Sequence, residues 1–247
     1  MKFEYFRPAE AVRHLIGSYY SITVPEPLAD VMRAEIANAR FILSGAVSSD
    51  MGGKMRRFLP GEAILCGPTF KWSRIEFEPG TVIVGAAITP IGWARMFGVP
   101  AHDYADRIIP LKEMMPEPFH TSIDRIFDLP EGHTRVSIAD EVFSALDRPD
   151  ARVNEAFLDE VTKWITDPEP NELEDLLAAI DLSPRQVERL SKQYFGSAPK
   201  KLHRKFRALH SANRLTWQSL DDWRDVATTA YYDQSHFIRE FKQFNGR

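Results

Sequence analysis

The sequence predicts an α+β chain, an antiparallel β sandwich or barrel first and an all-helical domain last. Three observations carry this: short β-type runs cut by Pro and Gly, a proline-bounded break near residue 170, and a helical repeat beyond it. Ser18–Val24, Arg40–Leu43, Ala63–Cys66 and Thr81–Thr89 are short runs of β-branched, aromatic or small residues. Pro25-Glu26-Pro27, Gly52-Gly53, Pro60-Gly61, Gly67-Pro68 and Pro79-Gly80 separate them. Many short strands with such turns make a sandwich or barrel. Helical patterns begin at Trp93–Phe97 and continue in Ile138–Leu146 and Val153–Ile165, the last with Val153, Phe157, Val161 and Trp164 or Ile165 on one stripe. Thr166-Asp167-Pro168-Glu169-Pro170-Asn171 stops helix and reads as a linker. The expected division is a β-rich domain over 1–110, a helical connection over 111–166, a linker at 167–171 and a helical domain over 172–247.

The whole chain of 247 residues has a formal charge of −4, which argues against nucleic acid. That average hides a split. Residues 1–171 hold 18 basic and 25 acidic side chains, and residues 172–247 hold 13 and 10. Between 183 and 220 nine basic residues face the single acid Glu188. One cysteine, Cys66, excludes an intramolecular disulfide and a Cys-rich zinc site. No signal-peptide pattern opens the sequence and no stretch nears the ~18 apolar residues of a membrane span, so a cytoplasmic location is expected.

The most informative feature is a repeat offset by 50 residues. Leu173–Gly196 and Trp223–Gly246 align without gaps and share Asp175/Asp225, Arg189/Arg239, Lys192/Lys242, Gln193/Gln243 and Gly196/Gly246. Each copy reads as a short helix, a tight turn and a second helix. Ser183 before Pro184, and Asp233, are N-caps; Gly196 and Gly246 suit the left-handed residue that ends a helix. Val187, Leu190 and Tyr194 face inward in the first copy, as do Phe237, Phe241 and Phe244 in the second. Arg185, Arg189 and Lys192 lie opposite in one; Ser235, His236, Arg239 and Lys242 lie opposite in the other. Two short helices with a polar, cationic outer face on the second describe a helix-turn-helix. Arginine forks suit guanine edges and phosphates. Between the copies, Ala198–Leu215 reads as one helix of about 25 Å, of the order of a duplex turn. Its apolar stripe is Leu202, Phe206 and Leu209, with Lys200, Lys201, Arg204, Lys205 and Arg207 around it. A basic amphipathic helix alone is usually just a solvated face; the repeat, caps, glycine stops and spacing together point to DNA.

Several strings resemble the AraC/XylS transcriptional regulators. They are Leu182-Ser183-Pro184-Arg185-Gln186 with Arg189, Gly196-Ser197-Ala198-Pro199, Ala227, and Tyr231-Tyr232-Asp233-Gln234-Ser235-His236-Phe237-Ile238-Arg239-Glu240-Phe241-Lys242. The resemblance covers about 172–246 and implies two helix-turn-helix subdomains joined by a long helix. By position it implies DNA contacts from Arg185, Glu188 and Arg189, with Lys192 on or near phosphate, and from Gln234, Ser235, His236 and Arg239; Gln186, Lys200, Arg204 and Lys242 are further DNA-binding candidates. Glu188 is the weak member, since a carboxylate in the groove accepts only from cytosine. Three departures stand out: Ser191 where the family has a core aromatic, implying looser packing; Ala230 in place of a turn glycine; and no proline-containing tail beyond Arg247.

Arg7-Pro8, Tyr19-Tyr20, Phe41-Ile42-Leu43-Ser44-Gly45, Gly67-Pro68-Thr69 and Ile88-Thr89-Pro90 followed by Trp93 resemble the sensor region of one branch of that family. This implies a cupin-like β-barrel that senses an effector or mediates dimerisation. Phe70, Trp72 and Trp93 are candidates to line an effector pocket, although aromatics in a β domain are more often core. His14, His102, His120 and His133 lack metal-ligand spacing, Cys66 reads as a buried structural thiol, and Gly52-Gly53-Lys54 is no phosphate loop. No catalytic set, cofactor or metal is expected. The expected partners are promoter DNA, a small-molecule effector, RNA polymerase and a second copy of the chain, with no membrane. Two other classes stay open: a small β-barrel enzyme, and a ligand-binding module that has lost DNA recognition.

Overall fold

The computed structural model describes residues 1–128, 133–167, 172–217 and 234–246. Ten strands build the first domain: β1 (Lys2–Phe6), β2 (Ile16–Val24), β3 (Leu28–Met32), β4 (Ala37–Ser44), β5 (Val47–Ser49), β6 (Arg56–Phe58), β7 (Ala63–Cys66), β8 (Ser73–Phe77), β9 (Thr81–Ile88) and β10 (Ile108–Pro110). They pair antiparallel in two sheets, β1-β2-β9-β4-β7-β10 and β3-β8-β5-β6. Between the sheets Val24, Ile42, Val47, Phe58, Ile64, Phe77, Ile83 and Ile108 form one core. This is the antiparallel β architecture expected from the turn pattern, and it is the cupin-like domain that the resemblance implies.

The larger sheet is covered on its other face as well. Helices α1 (Pro90–Met96), α2 (His120–Asp128) and α3 (His133–Ala145) pack Trp93, Met96, Ile123, Ile126, Val142 and Phe143 against Tyr19, Ala39, Phe41, Leu65 and Ala86. Burial on both faces explains why central strand β9 reads as a near-continuous run of apolar and small residues. Thr89 caps α1 by accepting from the Gly92 N–H at 2.9 Å, and Pro90 occupies its first turn.

Helix α4 (Glu155–Thr166), capped by Asn154, carries the apolar stripe read from the sequence, but turns it toward the C-terminal domain. Phe157, Leu158, Val161, Trp164 and Ile165 join one core with Leu176, Val187, Leu190, Tyr194 and Leu202. That core also takes in Ala34, Phe70 and Ala94 of the β domain, so the two domains share apolar interior.

The first helix-turn-helix is α5 (Leu173–Ala179) followed by α6 (Pro184–Phe195). Both start with capping boxes, Glu172 with Asp175 and Ser183 with Gln186. Gly196 ends α6 at φ +86°, a left-handed conformation that glycine adopts without cost. Ser191 does not loosen the unit: it is fully buried, and its hydroxyl donates to the Ser197 carbonyl at 2.7 Å across the turn into α7 (Pro199–Trp217). A small residue with a local acceptor replaces an aromatic without leaving a buried polar group unsatisfied. Of the second unit, α8 (Gln234–Asn245) is described, ending at Gly246 with φ +81°. Its expected first helix, turn and N-cap, Trp223 through Asp233, lie outside the described residues, as does linker 168–171. Among the described residues no helix is long and apolar enough to cross a membrane.

One buried carboxylate holds α8 on α7. Glu240 is fully buried; Arg204 Nε donates to its Oε1 at 2.5 Å, Arg207 to its Oε2 at 2.7 Å, and His236 Nε2 lies 3.2 Å from Oε1. Removing one member of such a cluster strands charge in the interior. Glu240→Ala is therefore expected to cost about 3–5 kcal/mol in stability, read from the urea unfolding midpoint. An unchanged midpoint would show that the cluster holds nothing.

Candidate nucleic-acid interface and effector cavity

The outer face of α6 is open to solvent at Arg185, Glu188 and Arg189, with Lys192 half-exposed. Arg189 donates to Gln193 at 3.3 Å, one turn on, which extends its guanidinium along the helix surface. Glu188 accepts from Lys192 at 2.6 Å, so the one acidic member of the face is matched within the helix. Gln186 is exposed, but its carbonyl oxygen accepts from the Ser183 N–H at 2.9 Å. On α8, Gln234, Ser235, Arg239 and Lys242 are exposed and His236 is half-buried over Glu240. Each helix therefore presents one arginine at the same position of the repeat.

The basic residues of α7 sit differently from a solvated face. Lys200 is exposed, whereas Arg204 and Arg207 turn inward to Glu240. Lys201 and Lys205 point at the β domain, their ammonium groups 4.9 and 4.6 Å from the centre of the Phe70 ring. Much of the local charge surplus is thus scaffold.

Phe70 lies on the segment Gly67–Trp72, which touches the C-terminal ends of both repeat helices. A Cβ on Gly196 would stand 2.6 Å from Pro68 and 3.3 Å from Phe70, and one on Gly246 would stand 2.9 Å from Trp72. The last carbonyls of a helix have no partner inside it. Here the β domain supplies two: the Ala34 N–H donates to the Phe244 carbonyl at 2.7 Å, and the Trp72 N–H to the Gln243 carbonyl at 3.2 Å. Asp106 braces the segment by accepting from the Phe70 N–H at 2.7 Å. Phe70, Trp72 and Trp93 accordingly serve the domain seam and core. Trp93 is buried, donates to the Val99 carbonyl at 2.9 Å, and lines a cleft of about 190 Å³ at the seam.

The barrel holds a larger cavity, about 630 Å³, in which none of those three aromatics takes part. Ile42, Val47, Phe58, Ile75, Phe77 and Ile83 form its walls, and Phe206, Leu209, His210 and Asn213 of α7 close one side. Where the barrel meets α7 stands a buried polar network. Arg40 donates to the Tyr20 hydroxyl at 2.9 Å, lies 3.2 Å from Cys66 Sγ and pairs with Glu35; Tyr20 donates to Asn38 Oδ1 at 3.1 Å. Burial works against the Arg40 charge, but Glu35 beside it holds its pKa above the ordinary value; burial likewise raises the Cys66 thiol. At the rim Arg33 donates to Asn213 Oδ1 at 2.7 Å. The sequence reading passed over this network, although an arginine inside the apolar strand Ala37–Ser44 was its signal. Among the described residues no group of three or more His, Cys, Asp or Glu side chains is placed to hold a metal.

Comparison with known proteins bears on this arrangement through fold. ToxT from Vibrio cholerae, at 1.65 Å, superposes with a TM-score of 0.53 at 9% identity, covering 99% of this chain and 95% of that one. The apo form of a single-substitution variant of ToxT gives 0.51 at 9% identity over 92% and 93%. Unsaturated fatty acid-bound wild-type ToxT gives 0.52 at 9% identity over 91% and 90%. The chain has a ToxT-like fold. The match runs through both domains, the β-barrel and the helices that follow it. No family model matches the chain, and no curated relative does.

Lys205 is the most buried charge at the seam. Its ammonium donates to the Glu35 carbonyl at 2.7 Å, and burial lowers its pKa to about 7, with Lys201 pushing the same way and Glu35 and Asp106 opposing. Below pH 7 both folded and unfolded chains carry this proton and the burial penalty is complete. Between pH 7 and the ordinary lysine value near 10 the unfolded chain binds more protons, so stability rises with pH. The unfolding midpoint of the wild type relative to Lys205→Met is therefore expected to climb from pH 7 to pH 10. A difference constant across that range would refute the burial assignment.

Proposed function

We propose that the protein is a sequence-specific DNA-binding transcriptional regulator in which α6 and α8 enter successive major grooves. The barrel cavity takes an effector. One observation carries the reading: two helices of twelve residues, each ended by a glycine at positive φ, expose Arg189 and Arg239 at matching positions. Such forks read guanine edges or clamp phosphates. Arg185, Lys192, Lys200, Gln234, Ser235 and Lys242 are the further DNA-facing groups. Gln186 closes the α6 capping box, His236 and Arg204 turn to the buried Glu240, and Glu188 is acidic and would repel phosphate, so these four act chiefly by holding or balancing the helices. RNA polymerase and a second copy of the chain are the protein partners of this reading, and the cytoplasm its setting.

An apolar cavity with arginines at its seam end suits an amphipathic acid, tail among the barrel side chains and carboxylate toward Arg33 and Arg40. The unsaturated fatty acid named for bound ToxT supports that class. Because Phe206 and Leu209 of α7 line the same cavity, an occupant would touch the helix that joins the two readers.

The test is fluorescence anisotropy on a duplex chosen from genomic DNA by the wild-type protein. Arg189→Ala and Arg239→Ala are each expected to weaken binding roughly 5- to 150-fold, equivalent to about 1–3 kcal/mol. Adding oleic acid is expected to shift the wild-type affinity. Wild-type affinity in both arginine variants would sink the groove assignment, and indifference to the acid would sink the effector class.

A further inference from the structure

β1 is an edge strand, and its outward row of backbone groups is a template for another strand. Edges are normally blunted by shortness, proline or charge. β10 is three residues long and ends in Pro110, and β6 is three residues long with Arg57 at its centre. β3 is five residues long, but pairing it with itself about its midpoint sets Asp30 against Asp30. β1 reads Lys-Phe-Glu-Tyr-Phe: its two charges are of opposite sign and can pair across two copies, and Phe3 is 42% and Tyr5 71% exposed.

We propose that β1 is a homodimer interface, pairing antiparallel with β1 of a second copy about a twofold axis at Phe3. In that register Lys2 faces the partner's Glu4, Glu4 faces the partner's Lys2, Phe3 faces the partner's Phe3, and Tyr5 faces the partner's Met1. Opposite charges and aromatics directly across an antiparallel pair are the stabilising combinations. The neighbouring registers fail, because one sets Lys2 against Lys2 and the other Glu4 against Glu4. The twofold register keeps residues of equal parity opposite each other, so the ladder closes whichever set of amides points outward. Lys2, exposed, and Glu4, half-buried, already lie on one face of the strand and form an ion pair at 3.0 Å. Phe3 stacks on Tyr20 at 5.5 Å, which seats the central aromatic on the sheet. The two large sheets would merge into one of twelve strands, with Met1, Phe3 and Tyr5 at the rim of each barrel cavity.

The contact deepens the homodimer expectation by assigning its surface, and it stands apart from DNA recognition, so its test contains no DNA. A five-residue pairing buries less than about 1,200 Å², the range of weak, reversible complexes. Sedimentation velocity on the full chain, from micromolar to about 300 µM, is expected to show concentration-dependent dimerisation in that weak range. Lys2→Glu and Glu4→Lys alone each set like charges across the strands and should weaken it roughly tenfold. The double exchange Lys2→Glu/Glu4→Lys restores it, and a mixture of the two single variants associates better than either does by itself. Neither side chain is fully buried, so circular dichroism should be unchanged in every variant. A monomer throughout, a dimer as tight in Glu4→Lys as in wild type, or failure of the double exchange to restore association would overturn the assignment.

Discussion

The arrangement depends on how the C-terminal end of α8 is satisfied. A twelve-residue helix leaves carbonyls at its end that nothing inside it can reach. In this chain two of them accept from amides of the β domain, at Ala34 and Trp72. The same segment presses Pro68 and Phe70 against the end of α6. Phe70 then sets its ring against the ammonium groups of Lys201 and Lys205 of α7, and Lys205 donates back to Glu35. α6 and α8 are therefore positioned by the β domain as well as by α7. Any side chain at Gly196 or Gly246 would collide there, besides straining the backbone.

This geometry gives the cavity a physical route to the ends of α6 and α8, the helices proposed to face DNA. Glu35 pairs with Arg40 inside the barrel mouth, while its backbone accepts from Lys205 and donates to the Thr69 hydroxyl. A ligand carboxylate drawn to Arg40 or Arg33 would compete with Glu35 or Asn213 for them. Either exchange acts on the seam within a few bonds of the α6 and α8 termini. The charge balance of the chain fits the same picture. Much of the basic surplus of 183–220 lies against Glu240 and Phe70, which leaves Arg189 and Arg239 exposed on the outer faces of α6 and α8.

Features whose causes lie within a few residues were legible in the sequence. Ser183, Pro184, Gly196 and Gly246 mark the ends of α6 and the end of α8 because caps and left-handed stops are local chemistry. The apolar runs became β2, β4, β7 and β9 with small boundary shifts. β1 and β8 escaped notice because Lys-Phe-Glu-Tyr-Phe and Ser-Arg-Ile-Glu-Phe alternate with charge and form no apolar run. The site was less legible. Arg204 and Glu240 are 36 residues apart and Lys205 and Glu35 are 170 apart, so neither pairing leaves a periodic trace. Phe70 illustrates the limit: sequence marks it as an aromatic to be covered, but not that the cover is a pair of lysines from the other domain.

Hydroxyl-radical footprinting of the full chain on a selected binding site tests the paired-reader account most directly. Two protected tracts about ten base pairs apart on one face of the duplex are predicted, Arg189→Ala eroding one and Arg239→Ala the other. A single tract, or both tracts fading equally in either variant, would contradict two helices reading separate grooves.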